Sequence, residues 1–297
     1  MKTIEKTIRS REDGLMISVL EMIPETVVGV VQIVHGMAEH KERYLPFMEF
    51  LCEHQIACVI HDHRGHGKSV KERNDLGYFY DESGCAIVED VKTVSESIRS
   101  QFSNVPFILF GHSMGSLIVR NYLKKYDDSI DALIICGPPA ENKLVNVALA
   151  LVNFMIKMHG DRYRSKLFEW LTTGSFGKGN TWLSKNEENV KAYNADCQCG
   201  FCFTLNGFKN LFILLKRTYD SKGWKKSNVH LPVLYIAGSK DPVIVSEKAF
   251  NKEIAFLKNI GYTKVEGHLF STLRHEILNE KECQDVYDFI WNFVRNV

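Results

Sequence analysis

The sequence carries almost no net charge: 37 Lys and Arg face 36 Asp and Glu. No long-range field would gather nucleic acid or an acidic partner, so a neutral small-molecule ligand is favoured. It also lacks any run of the ~18–20 apolar residues that a membrane span needs. Its first ten residues, M-K-T-I-E-K-T-I-R-S, place charges every few positions and contain no apolar segment of signal-peptide type. A cytoplasmic protein is expected, with membrane contact only as peripheral, transient contact at a surface. Internal repeats and low-complexity tracts are absent. The eight cysteines, with no export signal before them, read as reduced and mostly buried small hydrophobes. Cys197, Cys199 and Cys202 have a C-x-C-x-x-C spacing, but a fourth ligand is missing and the next histidine, His230, is distant. No metal is expected there. His61, His63 and His66 with Asp62 resemble a metal cluster.

What the chain does contain is G-H-S-M-G at Gly111 to Gly115, directly after the apolar run Val105 to Phe110. Glycines on both flanks permit a sharp strand-to-helix turn that lifts a serine hydroxyl above a sheet edge, and Leu117, Ile118 and Tyr122 begin a helical period behind it. Ser113 is therefore the candidate nucleophile, although a glycine-rich loop with an incidental serine would read alike over five residues. Downstream, Leu231 to Ala237 reads as a buried strand leading to Asp241, and His275 precedes a final amphipathic segment, Gln284 to Val297. Serine, acid and histidine thus follow in the order of one architecture. His275 would take and return the Ser113 proton while Asp241 fixes its tautomer. His268 competes as the base but lies within the inferred last strand. Glu89 and Asp90, in the helix expected at Cys85 to Ser100, read as capping or surface groups. The apolar run Val27 to Val34 ends in His35-Gly36-Met37-Ala38-Glu39-His40, so the oxyanion donors are expected to be the backbone N–H groups of Met37 and Met114.

Strands at Thr3 to Arg9, Leu15 to Ile23, Val27 to Val34, Ile56 to His61, Val105 to Phe110, Ala132 to Cys136, Leu231 to Ala237 and Val265 to Ser271 alternate with helices from the third onward. The α/β class follows: a mainly parallel eight-stranded sheet flanked by helices, with an antiparallel beginning. After Gly137-Pro138-Pro139 nearly a hundred residues pass before the next core strand, giving a core over residues 1–137 and 230–297 and a helical lid or cap over 138–229. Leu144 to Met158 is apolar on nearly every face except Asn146, Asn153 and Lys157. Together with Leu211 to Leu215 it could pack only on the core, or it could form an acyl-binding wall.

The motifs His35 to Tyr44 (H-G-M-A-E-H-K-E-R-Y), Asp62 to Ser69 (D-H-R-G-H-G-K-S), Gly111 to Gly115, Gly238 to Val243 (G-S-K-D-P-V) and Arg274 to Glu280 (R-H-E-I-L-N-E) carry a resemblance. So does Asp196 to Phe208, D-C-Q-C-G-F-C-F-T-L-N-G-F, which looks like the capping segment of bacterial members. The chain resembles the monoacylglycerol lipase and lysophospholipase branch of the α/β-hydrolases, essentially end to end. That resemblance implies a cofactor-independent serine carboxylic-ester hydrolase working through an acyl-enzyme on a lipid-like monoester. It places the triad and oxyanion positions on the same five residues and implies that the Asp62 to Ser69 loop is a structural turn, so no metal is expected at His61, Asp62, His63 and His66. Substrate contacts are expected at His35, Gly36, His112, Leu144, Leu151, Met155, Leu211 and Leu215. Ser116 departs from it, standing where relatives commonly have a second glycine. Short-chain esterases, thioesterases and aminopeptidases use the same triad, and a silent binding protein could keep the fold.

Overall fold

The computed structural model describes residues 1–297. Eight strands form one sheet: β1 (Lys2–Arg9), β2 (Met16–Ile23), β3 (Gly29–Val34), β4 (Ile56–His61), β5 (Phe107–His112), β6 (Ala132–Cys136), β7 (Val233–Gly238) and β8 (Val265–Phe270). Their spatial order is β1-β2-β4-β3-β5-β6-β7-β8. β1 pairs with β2 and β2 with β4 antiparallel, and every later pairing is parallel. The α/β-hydrolase fold read from the sequence is present.

Strands β3 to β7 are buried at every position, because helices cover both faces and a strand so covered must be apolar on both sides. Alternate residues feed two cores. On one face Val31, Ile33, Ile108 and Phe110 meet Phe47 and Leu51 of α1 (Leu45–Glu53) and Val286 and Ile290 of α9 (Cys283–Val294). On the other, Val30, Val34, Phe107 and Leu109 meet α2 (Ala86–Arg99), α3 (Met114–Tyr126) and α8 (Glu247–Ile260).

Boundaries moved where hydrogen bonding overrode composition. β5 continues two residues past the apolar run, since Gly111 and His112 still pair with Ile135 and Cys136 of β6. The ladder stops only at Ser113, whose positive φ turns the chain out of the sheet.

Between β6 and β7 the chain leaves the sheet for α4 (Val145–His159), α5 (Lys166–Thr172), α6 (Glu187–Ala195) and α7 (Leu205–Thr218). α4 packs on α7, and α7 packs on α3. α4 buries Val145, Ala148, Leu149, Val152, Met155 and Ile156 at least in part. Its opposite stripe, Leu144, Val147, Leu151, Phe154 and Met158, is exposed. Those spacings of three and four residues align on one helical face. No helix is long and apolar enough to cross a membrane.

Candidate active site

Because β3, β5, β7 and β8 run parallel, their carboxyl ends deliver four loops to one sheet edge. Ser113 sits between β5 and α3 at φ 54°, ψ −118°, a strained conformation for a residue with a Cβ. Two close approaches force the flanking glycines. A Cβ on Gly115 would collide with the Val34 carbonyl oxygen, and one on Gly111 would lie 2.6 Å from Gly115 O. Ser116, where a glycine was the expected alternative, fits without exposure, but its hydroxyl has no hydrogen-bond partner.

Asp241 begins the turn after β7 and divides its two oxygens. Oδ1 accepts from the Val243 N–H at 2.8 Å, and Oδ2 lies 2.8 Å from His275 Nδ1. Asp241 and His275 are both buried. An imidazole that donates Nδ1–H to a carboxylate leaves Nε2 as an acceptor, the nitrogen a neighbouring hydroxyl requires. Met114 follows Ser113 in the chain, and Met37 follows Gly36, where an added Cβ would lie 3.2 Å from Ser113 Cβ. The Met37 N–H makes no backbone hydrogen bond, and Met114 opens α3, where helix N–H groups lack internal partners.

Ser113, His275, Met37 and Met114 line one cavity of about 930 Å³. Of the further residues expected there, Gly36, His112, Leu144, Leu151, Leu211 and Leu215 line it. His35 and Met155 do not. The His35 ring turns into the protein, where Nε2 accepts from the His63 N–H at 3.1 Å and Nδ1 lies 2.9 Å from Gly36 O. Met155 faces the core because α4 has two apolar stripes and its packing on α7 claims the one that contains it.

The chain belongs to the serine aminopeptidase S33 family. The family's model matches residues 25–282. A monoacylglycerol lipase of Mycolicibacterium smegmatis is 28% identical over 272 residues, covering 90% of this chain and 88% of that protein. A monoglyceride lipase of Mus musculus is 27% identical over 236 residues, covering 76% and 69%. Among solved structures, a thermostable carboxyl esterase from Bacillus coagulans superposes with a TM-score of 0.90 at 24% identity, covering 100% of this chain and 99% of that one.

Around this S33 hydrolase site lies a buried polar network that sequence reasoning missed. Glu39 Oε1 accepts from the Gly36 N–H at 2.5 Å and from Tyr44 OH at 2.9 Å. Its Oε2 takes Arg43 Nη1 at 2.7 Å. Arg43 also grips both oxygens of Glu276, each at 2.6 Å, so the loop after β3 is tied to the residue beside His275. His112 joins through Tyr44 OH at 3.1 Å and through His275 O at 3.2 Å. Burial alone would raise the Glu39 carboxyl, but His112, Arg43 and the Gly36 N–H hold it well below the usual carboxylate range. Against the same burial, Glu39 raises the His112 imidazole above its ordinary value. The i, i+4 spacing of Glu39 and Arg43 was the only signal in the sequence. Trp182, from the insert, was also missed; its ring lies 5.1 Å from that of His275.

The remaining candidates separate cleanly. His268 is exposed on β8 and stacks on Phe289 at 4.4 Å. Glu89 pairs with Lys125 at 2.8 Å. Asp90 is not a surface group, as expected from its helix, but is buried against Arg64 Nε at 2.7 Å and Ser10 Oγ at 2.6 Å. The histidine-rich loop is structural in its contacts. Asp62 accepts from the Lys41 and Lys68 N–H groups, each at 2.9 Å, and from Lys41 Nζ at 2.7 Å. His66 Nε2 accepts from the Ala38 N–H at 3.3 Å.

Proposed function

We propose that the protein is a serine carboxylic-ester hydrolase for lipid-like monoesters, a monoacylglycerol or a lysophospholipid, working without a cofactor through an acyl-enzyme. The observation that carries this reading is the cavity of about 930 Å³ that opens on Ser113 and His275. That volume lies at the upper end of small-ligand pockets. Beyond the catalytic edge its walls include Leu151, Phe168, Trp170, Leu211, Phe212 and Leu215, a lining suited to an acyl chain, with Glu141, Lys143, Lys166 and Glu169 also on the wall.

In this reading Ser113 Oγ attacks the ester carbonyl carbon and passes its proton to His275 Nε2. Asp241 stabilises the imidazolium, and the Met37 and Met114 N–H groups receive the oxyanion, each such donor contributing about 2.7–4 kcal/mol. His275 returns the proton to the leaving alkoxide, and a water repeats the sequence on the acyl-enzyme. Residues 138–229 act as a lid. The stripe Leu144, Val147, Leu151, Phe154 and Met158, with Leu167, Trp170 and Leu171 of α5, is exposed. It meets a lipid surface beside the cavity mouth, where a lipid monoester would enter. The two relatives named as monoacylglycerol and monoglyceride lipases support this substrate class.

The test is a panel of glycerol and p-nitrophenyl esters from C2 to C18, with p-nitroanilides of amino acids for comparison. The kcat/KM should rise with chain length, by up to ~0.8 kcal/mol per buried methylene, until the cavity is filled. Ser113→Ala should abolish turnover and fluorophosphonate labelling. Leu151→Asp, checked for folding, should depress the long esters far more than the acetyl ester. A preference for acetyl esters or anilides would remove the lipid substrate. Labelling that survives Ser113→Ala would remove the nucleophile.

A further inference from the structure

The cysteine run Cys197, Cys199, Cys202 lacked a histidine within reach along the sequence, and the fold supplies one. His40 ends the loop that follows β3, and Asp196 and Cys199 occupy the turn that follows α6. One donor atom from each of His40, Asp196 and Cys199 lies within 4.8 Å of the other two. Donors in a tetrahedral zinc site, at about 2.0–2.3 Å from the ion, stand roughly 3.3–3.8 Å apart. Reaching that spacing requires the widest separation to close by about 1–1.5 Å and the His40–Asp196 pair to open by roughly half an ångström, adjustments within the reach of side-chain rotation.

The donors are also aimed. Gln198 N–H holds Asp196 Oδ1 at 2.8 Å, leaving Oδ2 to face His40 Nε2 at 2.9 Å. Behind the ring, His40 Nδ1 lies 2.7 Å from Glu42 Oε2. A carboxylate on the far nitrogen is the arrangement that fixes a histidine's orientation and increases its basicity toward a metal. A shared proton would satisfy the His40–Asp196 pair by itself. The Cys199 thiol is a third donor that such a pair does not need, and Sγ is the atom that a thiophilic cation seeks. Cys202 Sγ is turned elsewhere, with Phe203 O at 3.4 Å and Ser165 O at 3.9 Å, and Cys197 is exposed.

We propose that His40 Nε2, Asp196 Oδ2 and Cys199 Sγ form a non-catalytic site for a thiophilic divalent cation, Zn²⁺ fitting it best, with water as the fourth ligand. Mixed nitrogen, oxygen and sulfur donors suit Zn²⁺ and disfavour Ca²⁺ and Mg²⁺, which take oxygen cages. Binding forms one bond to Nε2, one to Sγ and one to Oδ2, and releases to solvent the protons that Nε2 and Sγ carried. The ion joins two segments that already touch. Ala38 O accepts from the Gly200 N–H at 2.9 Å and from Tyr193 OH at 3.0 Å. It would therefore clamp the insert to the loop that carries the Met37 N–H. This assignment is independent of the ester-hydrolase reading.

The test uses the full chain, stripped with EDTA and titrated with Co²⁺ at pH 8, then with Zn²⁺. One equivalent of Co²⁺ should produce a near-ultraviolet thiolate-to-cobalt charge-transfer band that Zn²⁺ displaces. Saturating Zn²⁺ should raise Tm by roughly 5 °C. Cys199→Ser should lose both responses, Asp196→Asn should weaken the binding, and Cys197→Ser and Cys202→Ser should keep band and shift. These readouts do not involve ester turnover, so a silent enzyme with an intact band leaves the site standing. Absence of the band, its survival in Cys199→Ser, or its loss in Cys197→Ser or Cys202→Ser would overturn the assignment.

Discussion

Arg43→Met exposes how the site is held. Arg43 is the one side chain that bridges two buried carboxylates, Glu39 at 2.7 Å and Glu276 at 2.6 Å, and the His112 imidazole is a further partner of Glu39 alone. Methionine keeps most of the side-chain volume and removes the charge. Breaking a buried pair from one side typically costs 3–5 kcal/mol, because an uncompensated charge stays in a low-dielectric site. The protein can limit that cost by protonating one carboxyl. From an ordinary glutamate pKa near 4.3, proton uptake at pH 7 costs about 3.7 kcal/mol, at ~1.4 kcal/mol per pH unit. Both routes give a loss of about 3–4 kcal/mol at pH 7. They diverge in acid, since proton uptake costs only about 1 kcal/mol at pH 5.

Urea unfolding of wild type and variant at the two pH values measures this. The destabilisation should shrink by at least half between pH 7 and pH 5. Adding Glu276→Gln to Arg43→Met should recover stability, because one of the two stranded charges is then gone. Turnover should fall as well, by up to about 10²-fold for a displacement near 1 Å, since Arg43 ties Glu276, beside His275, to the loop that carries Met37. A loss under about 1 kcal/mol at pH 7, or one that does not change with pH, would refute the account of Arg43 as the counter-charge of a closed network.

Two further expectations concern chemistry and acid. His275→Ala should lower kcat by several orders of magnitude and Asp241→Asn somewhat less, while His268→Ala stays mild; a His268 effect equal to that of His275 would show that the wrong base was chosen. Stability should fall as pH drops from about 6.5 toward 4. Burial holds the His63 and His66 imidazoles down to about 4 and about 3, and holds His35 and His61 well below the ordinary 6.5. These rings are neutral when folded and take up protons once unfolded, so each withdraws up to ~1.4 kcal/mol per pH unit below 6.5. His40, raised to about 10 against burial by Cys199, Glu42 and Asp196, is already protonated when folded, so its contribution rises as pH falls through 6.5 and offsets part of the loss from one such ring. Urea midpoints at pH 7 and 5.5 that do not differ would contradict this.

What could be read from the sequence was whatever a single segment encodes. Five fully buried strands announce themselves as largely apolar runs, and Ser113, Asp241 and His275 each follow a strand. What escaped was assembled from segments far apart in sequence. Arg43 needs Glu276, Tyr44 needs His112, and Trp182 comes to His275 from the insert. No spacing along one chain carries those pairings. α4 failed differently. With apolar residues nearly all round, its composition could not say which stripe the core would claim, so Met155 was assigned to the cavity although it packs inward. Asp90 was misread for a related reason, because its partners Arg64 and Ser10 lie on other elements.

The contrast between the two halves of the cavity follows from how each is fastened. On the sheet side, every loop is pinned by hydrogen bonds or buried charges: Ser113 N–H to Cys136 O at 2.9 Å, Asp241 to Val243 and His275, and Glu39 to Gly36 and Arg43. Shifting any of these would strand a polar group out of reach of water, at roughly 1–3 kcal/mol for each neutral group and more for a charged one. On the insert side, the walls are Leu151, Phe168, Leu211 and Phe212, whose contacts are non-directional and survive small rearrangements. An enzyme built this way holds its reacting atoms in one geometry while the pocket adapts to the acyl chain. Substitutions that change substrate preference without changing the chemistry should therefore fall between residues 138 and 229.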